Sequence, residues 1–238
     1  MKKRTTAQLE DTMTRYRDLV GVPVADGGEP MVILNPAVIK NGYPPEMSDM
    51  AKALEGKIVV RKTVYQMLRD VQKQISEKNN NYSLYVTYGY RSLEIQTTKF
   101  RTIVSTIAKK RFFVNPIDLY EDVHRFIAVP TVAGHPTGGA VDITIVDKSG
   151  KCIDFGSPLY DFSSKDCYVY ALNITKKALR NRLLLRACMI DAGFAPFDGE
   201  WWHFSYGDRE WAYYYKKPKA IYNQVSVLYV KQSLKGGE

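Results

Sequence analysis

Histidine and cysteine are both scarce, with three of each in 238 residues. Cys152, Cys167 and Cys188 show no C-x-x-C spacing and their number is odd, which argues against a disulfide framework and a cysteine-based metal centre. They read as free core thiols. No stretch approaches the roughly 18 to 20 apolar residues that a membrane-spanning helix needs. The N-terminus MKKRTTAQLEDTMTRYRDLV is basic but lacks the apolar run of a secretory signal. The expected location is the cytoplasm, or the periplasm or exterior if a leader has been removed. Internal repeats, low-complexity tracts and Gly/Ser linkers are missing too, which favours a single domain.

Acidic residues are the minority: 25 Asp and Glu face 34 Lys and Arg, a formal net charge of +9. Such an excess can attract nucleic acid or anionic surfaces. The basic residues are dispersed, however, with Lys109, Lys110 and Arg111 in one place and Lys216, Lys217 and Lys219 in another. No nucleic-acid-binding motif accompanies them. A solvated basic surface is expected, with no nucleic acid as partner and no membrane span.

Apolar spacing predicts a helix over about residues 7–20, from Leu9, Met13, Tyr16 and Val20, closed by Gly21. The segment carrying Pro23, Pro30, Pro36, Pro44 and Pro45 reads as an irregular connection hugging the surface. Val64, Met67, Leu68, Val71 and Ile75 form a second helical stripe. Tyr82 to Tyr90 reads as a strand, and Ser92 as the N-cap of a helix burying Phe100, Ile103, Val104 and Ile107. Val141, Ile143 and Ile145 alternate along another strand. Leu179, Leu183, Ala187 and Ile190 mark a last helix stopped by Gly193, and a short strand begins near Trp201. Helices come first and between strands without regular βαβ alternation, so the expected class is α+β with a small antiparallel sheet.

Two of the three histidines lie in unusual surroundings. In Gly134-His135-Pro136-Thr137-Gly138-Gly139-Ala140-Val141-Asp142 the glycine pair permits a tight turn between His135 and the strand. Strand alternation points Asp142 away from the Val141/Ile143/Ile145 face. A buried carboxylate needs a cation or several donors, and a metal also bound by His135 would supply one. In Gly199-Glu200-Trp201-Trp202-His203-Phe204, Glu200 and His203 can reach one site only if Glu200 sits in a turn before the strand. Two imidazoles and a carboxylate form a catalytic zinc set with a fourth position free for water, whose pKa zinc lowers to about 7. Glu200, kept off the metal, could take that water's proton.

Each motif alone has a plainer reading. His135 could be structural, Asp142 a strand-end hydrogen-bonder, Glu200 an exposed charge, and Trp201 and Trp202 core. Arg91 could be a surface salt-bridge partner. Their joint occurrence favours the metal. His124 lacks comparable context and reads as incidental.

His135-x6-Asp142 followed by Glu200-x-x-His203 resembles the zinc signature of VanX-type D-alanyl-D-alanine dipeptidases and VanY-type D,D-carboxypeptidases, a metal-site fold shared with lysostaphin and hedgehog relatives. Asn181-Arg182-Leu183-Leu184-Leu185-Arg186, Met189, Gly193-Phe194 and the run from Glu200 to Asp208 with Trp211 resemble the dipeptidase version. So do Gly89-Tyr90-Arg91-Ser92 and Asp154-Phe155-Gly156-Ser157-Pro158. The likeness covers about residues 55–215, leaving an N-terminal helix and irregular extension over 1–54 and a C-terminal extension over 216–238.

The resemblance implies one Zn2+ per chain on His135, Asp142 and His203, with Glu200 as general base. It further implies Arg91 as the group contacting the substrate carbonyl in the transition state, and Tyr90 and Trp202 as substrate contacts. The implied substrate is a small cell-wall peptide, D-Ala-D-Ala or a near relative. A D,D-carboxypeptidase acting on stem peptides and a non-catalytic, zinc-stabilised binding protein are the alternatives. One departure stands out: Ala133 occupies the position where the dipeptidases usually carry a substrate-holding serine. The lost hydroxyl removes a hydrogen bond worth about 0.5 to 1.5 kcal/mol, which bears on substrate preference rather than metal binding.

Overall fold

The structure, a computed structural model, describes residues 5–235; the tips of both extensions, 1–4 and 236–238, lie outside the described residues. In chain order the elements are α1 (Thr6–Glu10), α2 (Tyr16–Leu19), β1 (Met31–Ile33), β2 (Lys40–Asn41), β3 (Val59–Arg61), α3 (Lys62–Lys78) and β4 (Ser83–Tyr88). Then follow α4 (Leu93–Ala108), α5 (Pro116–His124), β5 (Ala140–Val146), α6 (Lys176–Asp191), β6 (Ala195–Pro196), β7 (His203–Ser205), α7 (Arg209–Tyr214) and α8 (Val227–Lys235). The class is α+β, as expected.

Five strands form one sheet in the order β2-β4-β5-β7-β6, and β1 and β3 pair separately. From β4 to β6 every pairing is antiparallel, whereas β2 joins β4 in parallel at the edge. The chain between β2 and β4 passes through β3 and α3, a crossover long enough for a parallel pair.

Strand β5 is buried along its whole length because both of its faces are covered. Val141, Ile143 and Ile145 join a core with Val64, Leu68 and Val71 of α3 and Leu185, Cys188 and Met189 of α6. Asp142 lies on the opposite face, which looks onto a cavity roofed by α4 and α5. Ser92 caps α4 by accepting from the Ile95 amide, and Phe100 packs with Val123 of α5 and Leu19 of α2 in a second apolar cluster. Residues 133–142 are thereby held between a packed floor and a helical roof.

Several expectations are corrected. The single helix over 7–20 is two short ones. Thr12 turns its hydroxyl back to the Leu9 carbonyl (2.8 Å), and the Asp18 carboxylate caps a restart at the Arg15 amide (2.9 Å). The proline-bearing segment is interior as well as surface: Met31, Leu34, Ile39 and Met50 are almost wholly buried. On α6 the buried row is Ala178, Arg182, Leu185, Cys188 and Met189, and Leu183 is 38% exposed. The guanidinium of Arg182 takes a core position by donating to the carbonyls of Phe155, Asp166 and Tyr168. Gly193 does end this helix, at a left-handed φ of 99° that suits glycine. Cys152 is exposed, so only Cys167 and Cys188 are core thiols. Among the described residues no helix is long and apolar enough to cross a membrane.

Candidate metal centre and active site

The ladder of the sheet aligns the centre. Asp142 on β5 is the register partner of Tyr88 on one side and of His203 on the other. His135 reaches the same place from a 3-10 turn, His135–Thr137, that Gly138 closes at a φ of 73° before β5 begins. The turn is pinned by Arg61, which is fully buried: its Nε donates to the Thr137 carbonyl (2.7 Å) and its amide to the Gly138 carbonyl (2.9 Å).

His135 Nδ1 lies 2.8 Å from the Gly89 carbonyl oxygen. A carbonyl only accepts, so Nδ1 carries the hydrogen and Nε2 keeps its lone pair. That Nε2 stands 3.4 Å from Asp142 Oδ2, while Asp142 Oδ1 stands 2.9 Å from His203 Nδ1. The three potential donor atoms all lie within 4.8 Å of one another. Burial would raise the Asp142 carboxyl, but the two imidazoles hold it well below the usual carboxylate range. Burial likewise works against charge on His203, yet the Asp142 carboxylate holds it up at about 9. Burial lowers His135. A buried carboxylate thus calls for one positive charge between two imidazoles, and two nitrogens and one oxygen suit a divalent cation of the zinc type. The residues fit a metal.

Glu200 sits in the turn ahead of β7, where its amide donates to the Phe197 carbonyl (3.1 Å) and its carbonyl accepts from the His203 amide (3.2 Å). This is the placement that lets Glu200 and His203 share one cavity. Burial pushes the Glu200 carboxyl up to about 7, aided by the Asp142 charge and opposed by His203 and Arg91. On the far side of the His203 ring, Glu210 Oε2 lies 3.8 Å from Nε2, and burial pushes that carboxyl up to about 8.

Arg91 follows β4 and is buried at the cavity wall. Its guanidinium lies 4.5 Å over the Tyr88 ring and donates from Nη1 to Gln96 Oε1 (3.0 Å), while Nε has no hydrogen-bond partner. Gln96 is itself oriented by donating to the Ala128 carbonyl (2.7 Å).

The two expected substrate contacts do not reach this cavity. Tyr90 turns the other way and donates its hydroxyl to the Val225 carbonyl (2.8 Å), within a cluster that includes Met31 and Val230. Trp202 is fully buried behind Tyr160 and Phe162, at ring-centroid distances of 5.6 and 5.7 Å. Those two line the cavity instead. Tyr160 holds a left-handed φ of 60° and bonds its hydroxyl to Thr87 Oγ1 (2.8 Å). Sequence reasoning missed it because an irregular loop has no periodicity to read; only its nearness to Ser157-Pro158 hinted at it. His124, read as incidental, is buried beside the same cavity. Its Nδ1 accepts from the Val129 amide (3.2 Å), and burial pushes it down to about 4.

Comparison with known proteins gives the family. A family model described as D-ala-D-ala dipeptidase matches residues 49–224. The D-alanyl-D-alanine dipeptidase of Synechocystis sp. is 27% identical over 228 residues, covering 86% of this chain and 92% of that protein. That of Escherichia coli is 35% identical over 83 residues, 35% of this chain and 42% of that protein. Among solved structures, the LdcB LD-carboxypeptidase aligns with a TM-score of 0.43 and 18% identity, covering 87% of this chain and 79% of that one. That last likeness is too distant to bear on function. With a match spanning most of its length, the chain belongs to the D-ala-D-ala dipeptidase family and is a metallopeptidase.

Proposed function

We propose that the chain hydrolyses D-alanyl-D-alanine or a closely related short D,D-peptide, using one zinc ion held by His135, Asp142 and His203. The observation that carries this reading is the sharing of a single cavity by those three side chains, Glu200 and Arg91. His135, Asp142 and His203 would hold a zinc ion, which would supply Lewis acidity to the scissile carbonyl and lower the pKa of a water to about 7. Glu200, with its carboxyl pushed up to about 7, takes a proton from the attacking water and delivers it to the leaving amine nitrogen as the C–N bond breaks. Arg91, on the cavity wall, donates to the oxyanion that develops on the carbonyl oxygen. Gln96 and the Tyr88 ring keep the guanidinium aimed.

The catalytic core is taken as residues 55–215, with both extensions contributing to its integrity: Leu19 and Met47 line the cavity, and the Asn223 carbonyl accepts from Arg61. A D,D-peptide substrate places the activity in cell-wall peptide turnover. Zinc-loaded protein incubated with D-Ala-D-Ala and related D,D-dipeptides should release free D-amino acids. Absence of turnover in a correctly loaded sample overturns the reading.

A further inference from the structure

The cavity before Glu200 and Arg91 has a volume of about 470 Å3 and two chemically distinct sides. Volumes of ~300–1,000 Å3 are those of sites that enclose drug-sized ligands. One side carries the metal ligands, Glu200, Arg91 and Gln96. The other is largely apolar, formed by Leu19, Ile103, Phe126, Ile127, Val132 and Phe162, with Lys99, Thr102 and His124 among them. This apolar side is firmly built. Leu19 and Val132 are buried among Phe100 and Val123, with Ile103 and Ile127 packed against them, and the rings of Phe126 and Phe162 meet edge-on at 6.3 Å.

Two polar groups among these residues already have partners within the protein. His124 gives its Nδ1 to the Val129 amide, and burial keeps the ring neutral. Lys99 is paired with Asp49 Oδ2 at 2.6 Å. Dialanine offers only two methyl groups to this surface and would leave most of it facing water. Apolar surface gains free energy when a ligand covers it, and a single methylene in an apolar pocket is worth ~10–200-fold in selectivity. A polar stem peptide would also fill the volume, but it would set hydrogen-bonding groups against carbon.

We propose that the apolar wall is a side-chain subsite, and that the preferred substrate is a D,D-dipeptide in which a bulky apolar residue replaces at least one alanine. This deepens the peptidase reading above and rests on it. Ile103, projecting from α4, and Phe162, from the loop after Tyr160, are its specificity-determining residues.

The test measures kcat/KM of the zinc-loaded protein for D-Ala-D-Ala, D-Ala-D-Leu, D-Leu-D-Ala and an N-acylated stem peptide ending in D-Ala-D-Ala. At least one leucine dipeptide should exceed D-Ala-D-Ala by about tenfold or more. Calorimetric binding to Glu200→Gln protein should rank the dipeptides in the same order, and Ile103→Trp should shrink the leucine preference by about tenfold. The wild-type panel decides alone, so a variant that fails to fold leaves nothing open. If D-Ala-D-Ala matches or beats both leucine dipeptides, or the stem peptide is best, the subsite inference falls and the peptidase reading stands. If none of the four is cleaved, both fall.

Discussion

Asp142 and His203 are register partners across β5 and β7, and their side chains meet at 2.9 Å between Oδ1 and Nδ1. The backbone ladder therefore brings two proposed ligands together without any loop having to find its place. Asp142→Asn keeps the shape and removes the charge. Zinc affinity should drop by about a hundredfold or more, since even partners behind the direct ligands are worth ~10–100-fold. Competition with a chelator of known affinity measures this, alongside circular dichroism to show that the sheet persists. Unchanged affinity would mean that Asp142 is no ligand.

Glu200 and Arg91 should separate chemistry from metal binding. Glu200→Gln preserves volume but cannot accept a proton, so kcat should fall by ~10²–10⁴ while bound zinc stays at one per chain. Arg91→Lys keeps a charge but not the planar fork that reaches both Gln96 and the cavity, and kcat should fall by ~10²–10³ with KM changing less. Single-turnover rates with parallel zinc analysis check both. A Glu200→Gln protein that lost its metal would place this carboxylate among the ligands instead.

Much of the centre was legible because its signals are local. Gly138 and Gly139 announce the turn after His135, period-two alternation puts Asp142 opposite Val141 and Ile143, and the odd offset from Glu200 to His203 demands a turn. Where the reading failed, a tertiary partner made the choice. The α6 sequence is leucine-rich on several faces, so apolarity alone could not show that Arg182 would face inward, where carbonyls from residues 155–168 await it. Tyr90 adjoins Arg91 in sequence, but the irregular register between Val86 and Tyr88 and the Val225 carbonyl turn it toward α8. Tyr160 and Phe162 reach the cavity on a loop, and the proline-bearing segment supplies core residues without any periodicity. His124 had no motif at all; its role is visible only as burial.

Arg182 carries the next expectation. It is 1% exposed, burial pushes it down to about 10, and among the described residues no carboxylate forms an ion pair with it. Three backbone carbonyls satisfy it, and they fix the loop that carries Tyr160 and Phe162. Arg182→Met takes the guanidinium donor from the Phe155 carbonyl, whereas the Asp166 carbonyl still accepts from Ser157 Oγ and the Tyr168 carbonyl from the Ala171 amide, so a loss of about 1–3 kcal/mol for the one group left unsatisfied is expected. Lysine should not rescue it, because a single ammonium lacks the fork that spans several acceptors. Urea denaturation measures the loss, and a change below about 1 kcal/mol would show that water replaces the guanidinium.

His124 sets a pH limit on stability. Burial holds its folded pKa at about 4, whereas the unfolded imidazole titrates near 6.5. Between those values the unfolded chain binds more protons than the folded one, so stability rises with pH across the window. The contribution is complete above about pH 6.5 and fades as pH falls toward 4, reaching a loss of about 3 kcal/mol. Protonation would also cost the bond that Nδ1 accepts from the Val129 amide. His124→Asn offers a side-chain oxygen to that amide and removes the titration. Urea unfolding of both proteins at several pH values between 7 and 4.5 should show a flatter profile for the variant, the difference between the two isolating the imidazole. Parallel profiles would mean that His124 is protonated in the folded protein without penalty, and that the wall beside it tolerates a charge.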